Sequence, residues 1–92
     1  MALGETLTKE LTETLTKEDK ENHLVVFNDE VNTFDYVITL LMQVCGHDFL
    51  QAEQCTLLIH YKGKCEVKTG TYDDLEPLCS KLLEAGLSAE IQ

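Results

Sequence analysis

From His23 onward the chain alternates between two rhythms of apolar residues, and the rhythm changes at polar clusters. Leu24, Val25, Val26 and Phe27 make a short apolar run that stops at Asn28-Asp29-Glu30, the pattern of a strand closed by turn formers. Phe34, Val37, Ile38, Leu41, Val44 and Cys45 then follow at intervals of three and four. That spacing predicts an amphipathic helix, capped by Asn32 or Thr33 and closed by Gly46. Asp48 stands three residues before Gln51, a capping pair that opens a second helix from Phe49 to about Tyr61, with Gly63 as its stop. Lys64 to Thr69 alternates, with Cys65 and Val67 on one face and Glu66 and Lys68 on the other, as a strand does. Leu75, Leu78, Cys79, Leu82 and Leu83 mark a third helix that stops at Gly86. Thr71 and Asp74 resemble a capping pair, but Pro77 would then fall beyond the first turn and remove a hydrogen bond. A start near Asp73 or Asp74 is therefore predicted. Leu87, Ala89 and Ile91 alternate as a last strand. The order β-α-α-β-α-β predicts an α+β sandwich, three helices packed on a small three-stranded antiparallel sheet.

Residues 1–22 follow a different pattern. Thr-Leu-Thr-Lys-Glu occurs at 6–10 and again at 14–18, and Leu3, Leu7, Leu11 and Leu15 recur every fourth residue. Leucine alone offers burial there and threonine is a mediocre helix former, so the segment is predicted to be a flexible acidic extension of a core domain at 23–92. With 92 residues there is room for one small domain and no second. No apolar run approaches the ~18 residues of a membrane span and no signal segment opens the chain, which predicts a cytoplasmic protein without membrane contact.

Charge narrows the partners. Seventeen acids face seven lysines and no arginine, a net charge of −10. Nucleic acid and anionic lipid are poor matches for such a surface, whereas a cationic ligand or a basic protein patch suits it. Cys45, Cys55, Cys65 and Cys79 never form a C-x-x-C pair, and each takes a place that the apolar rhythm gives to a small hydrophobe. They are predicted to be free thiols, with no metal or other cofactor.

No catalytic signature is present: no G-x-S-x-G, no H-E-x-x-H, no phosphate-binding glycine loop. Cys55 and His60, five residues apart on one helix, lie about 140° around its axis and cannot form a nucleophile–base pair. What remains is Asn28-Asp29-Glu30 between the first strand and first helix, together with His60 near the end of the second helix. Asn and Asp in such places serve as turn formers, and a terminal His as a helix cap, but the same groups could also bind a cation.

The stretch Leu24-Val25-Val26-Phe27-Asn28-Asp29-Glu30-Val31-Asn32-Thr33-Phe34-Asp35-Tyr36-Val37 resembles the opening of the ClpS family, a hydrophobic strand, Asn-Asp-Asp, then a helix. Gln51-Ala52-Glu53-Gln54 and Ile59-His60-Tyr61-Lys62-Gly63-Lys64 are similar to that family's second helix and its V-H-Y-x-G-K end. The resemblance implies an adaptor, not an enzyme. Such an adaptor binds proteins with a bulky hydrophobic N-terminal residue (an N-degron) and hands them to the AAA+ unfoldase of the Clp protease. By the same resemblance, Asn28, Asp29, Glu30 and His60 would receive the substrate's α-ammonium group. Val26, Asn32, Phe34, Val37, Thr56, Ile59 and Leu87 would line the side-chain pocket. Tyr61, Lys64 and the acids near Asp73 would face the unfoldase's N-terminal domain, and the adaptor would act as a monomer.

The chain departs from the family pattern at several places. Glu30 replaces the second Asp, Asn32 a Thr, Phe34 the Met that gates the pocket, Thr56 a second Met, and Leu78 a Lys on the third helix. The other reading the sequence allows is a stand-alone interaction domain of ribosomal-stalk-like fold, with the Asn28/His60 site unused.

Overall fold

The computed structural model describes residues 21–92, so most of the repeat-bearing segment lies outside the described residues. Six elements follow one another: β1 (Asn22–Phe27), α1 (Phe34–Cys45), α2 (Phe49–Lys62), β2 (Lys64–Gly70), α3 (Tyr72–Glu84) and β3 (Ser88–Ile91). β1 is the middle strand, antiparallel to β2 on one side and β3 on the other. It begins at Asn22, inside the segment assigned to the extension, because Asn22 still pairs with Gly70. The predicted α+β order is the observed one.

Local chemistry accounts for the helix ends. The Thr33 hydroxyl accepts from the Tyr36 N–H at 3.2 Å, the Asp48 carboxylate from Gln51 at 2.7 Å and the Thr71 hydroxyl from Asp74 at 3.2 Å. Each thereby satisfies one of the amides that a helix leaves free in its first turn. Gly46 and Gly63 close α1 and α2 in the left-handed region, at φ 71° and 92°, which costs glycine little.

The start of α3 differs from the sequence expectation. It is Tyr72, one residue after the Thr71 cap, and Pro77 lies within the helix. The missing Pro77 N–H leaves the Asp73 carbonyl without its helical partner, but both residues are exposed, so water can take its place.

The core lies between the sheet and the helices. Leu24 and Val26 of β1 meet Leu41 of α1, Ala52 and Ile59 of α2, and Leu75 and Leu82 of α3. Leu24, Leu41 and Leu82 are wholly buried, and truncating any of them to Ala would cost about 2–5 kcal/mol. The β1–β2 pairing carries one irregularity. Leu24 pairs with Lys68 but Val25 with Glu66, which leaves Val67 as an extra residue on β2.

Candidate functional site

The loop between β1 and α1 is held from three directions. The Asn28 N–H donates to the Gly63 carbonyl at 2.9 Å, which pins the loop's start to the end of α2, where His60 sits. Asp29 folds the loop back on itself. One carboxylate oxygen accepts from the Val31 and Asn32 amides at 2.9 and 2.8 Å, and the other from the Asn32 side-chain amide at 2.8 Å. The Asn32 backbone N–H, then its side-chain amide, and to a lesser degree the Val31 N–H hold the Asp29 carboxyl below its ordinary value of 3.8, against a modest opposing effect of burial. Asn32 uses its second amide hydrogen on the Gly86 carbonyl at 2.8 Å, and the Tyr36 phenol donates to the Ala85 carbonyl at 2.7 Å. These two bonds tie the loop and the first turn of α1 to the turn that follows α3.

Between this loop and α2 lies a cleft of about 400 Å³. Asn28, Asp29, Glu30, Asn32 and His60 form its polar side, and Phe34, Val37, Thr56 and Ile59 its apolar side. Nine of the eleven residues expected at an α-amino site and pocket thus come together from loop, α1 and α2. Val26 and Leu87 do not line the cleft; they are 1% and 4% exposed within the core beneath it. Thr56 is buried, and its hydroxyl donates to the Ala52 carbonyl at 2.7 Å, so the polar group is satisfied within its own helix. Phe34 retains 37% of its surface at the rim. His60 is exposed and packs edge-to-face on Tyr61, ring centroids 4.9 Å apart. Tyr61, Lys64 and Asp73 are exposed around the α2–β2 turn and the first turn of α3.

The chemistry of the cleft follows from its unspent groups. Among the described residues, two carboxylates and an imidazole line it, and no lysine does. Asp29 has three bonds already, and Asn32 has no amide hydrogen left to donate. Asn28, Glu30 and His60 make no side-chain hydrogen bond to the rest of the described residues. An amide oxygen, a carboxylate and a neutral imidazole nitrogen are acceptors suited to an ammonium group, and the apolar side suits a hydrocarbon attached to it. Among the described residues no cluster of His, Cys, Asp and Glu could hold a metal ion. The four thiols are free, and Cys55 packs toward the core while His60 faces the cleft.

Two residues matter to this architecture without having stood out in the sequence. Tyr36 reads as an ordinary polar-face residue of α1, yet its phenol reaches across to the α3 turn. His47, in the turn between α1 and α2, is 6% exposed. It donates through Nε2 to the Val67 carbonyl at 2.6 Å, while its Nδ1 has no partner. No sequence signal separates it from an exposed turn histidine.

Fold and cleft together define a small binding module, with acceptors at one end of a cleft and an apolar wall at the other. The chain belongs to the ClpS family: the family model described as ATP-dependent Clp protease adaptor protein ClpS matches residues 17–90. The ATP-dependent Clp protease adapter protein ClpS of Nocardia farcinica is 35% identical over 83 residues, covering 90% of this chain and 78% of that one. The protein of the same name from Corynebacterium jeikeium is 33% identical over 82 residues, covering 89% and 81%. Among solved structures, Agrobacterium tumefaciens ClpS2 bound to L-phenylalaninamide superposes with a TM-score of 0.74 at 19% identity, covering 79% of this chain and 95% of that one. The fold is thus shared with a solved structure, and the family is one of adaptors rather than enzymes. No helix among the described residues is long and apolar enough to cross a membrane.

Proposed function

We propose that this chain captures proteins whose first residue is bulky and hydrophobic, and delivers them to a Clp AAA+ unfoldase. The observation that carries the reading is the pairing, in one cleft, of unspent acceptors at Asn28, Glu30 and His60 with the apolar wall of Phe34, Val37 and Ile59. A free N-terminus offers an ammonium group and a side chain on the same carbon, so one residue can satisfy both ends. The solved relative of like fold is bound to L-phenylalaninamide, which carries that combination. Burying the side chain contributes about 1.5–3 kcal/mol, and each charge-assisted hydrogen bond about 1.5–3. Ordering costs reduce the sum, so dissociation constants near ~1 μM are expected, weak enough for release to the unfoldase.

Asp29 and Asn32 shape the loop in this reading, and Asp29 acts on the substrate through its charge rather than through a free oxygen. Tyr61, Lys64 and Asp73 form part of the surface offered to the unfoldase's N-terminal domain. The adaptor works as a cytoplasmic monomer, and residues 1–22 serve delivery rather than capture.

Fluorescence anisotropy with peptides beginning Phe, Leu, Tyr or Trp tests the reading. Binding by at least one, and its loss on acetylating the peptide's N-terminus, are expected. Equal binding of free and acetylated peptides would show that no α-amino group is read, and would favour an interaction domain that leaves the cleft unused.

A further inference from the structure

The core and the cleft use one side of α2, through Ala52, Thr56 and Ile59, and leave its other side apolar as well. Leu50, Leu57, Leu58 and Tyr61 fall at i, i+7, i+8 and i+11, on one face of the helix, and are between 39% and 75% exposed. A stripe of this kind is a packing face, yet no element among the described residues covers it. It continues into a surface cavity of about 600 Å³, which Leu58 borders together with His23 and Val25 of β1 and Lys64 of β2.

The sequence holds a second apolar stripe that the cleft does not use. Leu3, Leu7, Leu11 and Leu15 recur every fourth residue, and the repeated Thr-Leu-Thr-Lys-Glu contains two of them. These positions lie outside the described residues, but the point at which the chain enters the fold lies inside them. Asn22 pairs with Gly70, and the next residue, His23, lines the cavity beside Leu58.

We propose that residues 3–15 pack as a helix, through these leucines, on the Leu50–Leu57–Leu58–Tyr61 face of α2 in the same molecule. The dimensions agree. A helix rises about 18 Å from Leu3 to Leu15 and about 16 Å from Leu50 to Tyr61. The eight steps from Leu15 to His23 span up to about 26–29 Å when extended, enough to lay Leu15 at the Tyr61 end and Leu3 at the Leu50 end. Charge agrees too. In residues 3–15 Glu5, Glu10 and Glu13 stand against Lys9, a balance of −2. Across residues 49–64 Lys62 and Lys64 stand against Glu53, a balance of +1 in a chain of −10. Threonine makes the segment a poor helix in isolation, so its helix forms only where α2 offers the leucines burial.

The inference does not rest on the adaptor reading, since its test uses neither peptide nor unfoldase. Within that reading it adds one step: Tyr61 is also offered to the unfoldase, so the segment must leave α2 before delivery. The test is NMR on the isotope-labelled full chain. Nuclear Overhauser contacts from the Leu7 and Leu11 methyls to the Tyr61 ring are expected. The double variant L7Q/L11Q should shift the amide resonances of Leu50, Leu57, Leu58 and Tyr61 and leave those of Asn28 and Val37 in place. Reciprocally, L57Q should return the methyls of Leu3, Leu7, Leu11 and Leu15 to random-coil positions. Circular dichroism establishes that L57Q is folded, and L50Q, at the more exposed position, repeats the experiment. A sample mixing labelled and unlabelled chains separates contacts within one molecule from contacts between two. Random-coil positions for those methyls in the parent would overturn the proposal. So would contacts found only between molecules, which would assign the face to a second copy.

Discussion

Neighbouring side chains at the mouth of the cleft differ in what they still have free. Asn28 fixes its position through its backbone N–H, so its side chain is available to a ligand, whereas both oxygens of Asp29 are engaged in the loop. Truncating Asn28 or His60 to Ala should therefore weaken binding of a Leu-first peptide by about 10- to 100-fold, one charge-assisted bond each, with little change in melting temperature. Anisotropy and thermal melts check both halves of that expectation. Asp29 should respond in the opposite order, stability first. Its carboxyl is depressed in the folded protein, so its contribution is fully present above the ordinary carboxyl value and is lost as pH falls through the depressed one. Asp29→Asn keeps an oxygen for the backbone amides but lacks the charge. The stability gap between parent and Asp29→Asn should be widest near about pH 6 and should shrink toward about pH 2.5. Urea unfolding across that range is the measurement, and a gap that stays constant would remove the carboxylate's charge from the account.

At the scale of elements, α1 and α3 each carry one residue whose placement can be tested directly. Phe34 opens α1 at the cleft's rim and is more than one-third exposed, so it is a wall of the cleft before it is a part of the core. A rigid ring there should exclude β-branched first residues, whose extra methyl lies close to the backbone, and should stack on aromatic ones. Phe34→Ala should gain affinity for Ile-first and Val-first peptides and lose ~0.5–1.5 kcal/mol for Phe-first ones, as read by competition titration. A uniform loss with a lower melting temperature would mean that Phe34 is core. Pro77 sits inside α3 on its exposed side, and Pro77→Ala should stabilise the domain by about 1–3 kcal/mol by giving the Asp73 carbonyl its partner. Pro77 is also where the sequence misled. The Thr71–Asp74 cap is real, and the helix tolerates the proline because water can reach the orphaned carbonyl. The elements themselves were legible because periods of two and three-to-four residues dominate from His23 onward, and the polar trio and His60 stand at the element ends that face one another. Bonds between distant residues were not legible: Asn32 meets Gly86 across 54 positions, and Tyr36 meets Ala85 across 49. Nor was the extra Val67 in the β1–β2 ladder, since alternation within one strand does not fix the register against another.

For the molecule as a whole, the central question is how binding divides from delivery. Among the described residues, all those lining the cleft lie between positions 28 and 60, so a chain lacking residues 1–20 keeps every one of them. The sheet sets the limit of such a cut. Asn22 pairs with Gly70, and His23 exchanges backbone hydrogen bonds of 2.8 and 2.7 Å with Gln92, joining the middle strand to the end of the chain. Leu24 is wholly buried behind them. A chain of residues 21–92 should therefore fold and bind Phe-first peptides with the parent's affinity. One of residues 25–92 should melt at a markedly lower temperature, having lost the strand's edge bonds and a core leucine worth about 2–5 kcal/mol. If residues 1–20 serve delivery, the 21–92 chain should hold substrate yet fail to speed its degradation by the cognate Clp unfoldase and protease, and should compete with the parent for substrate. Degradation at the parent's rate by the shortened chain would instead place delivery within the folded domain, on the surface around Tyr61, Lys64 and Asp73.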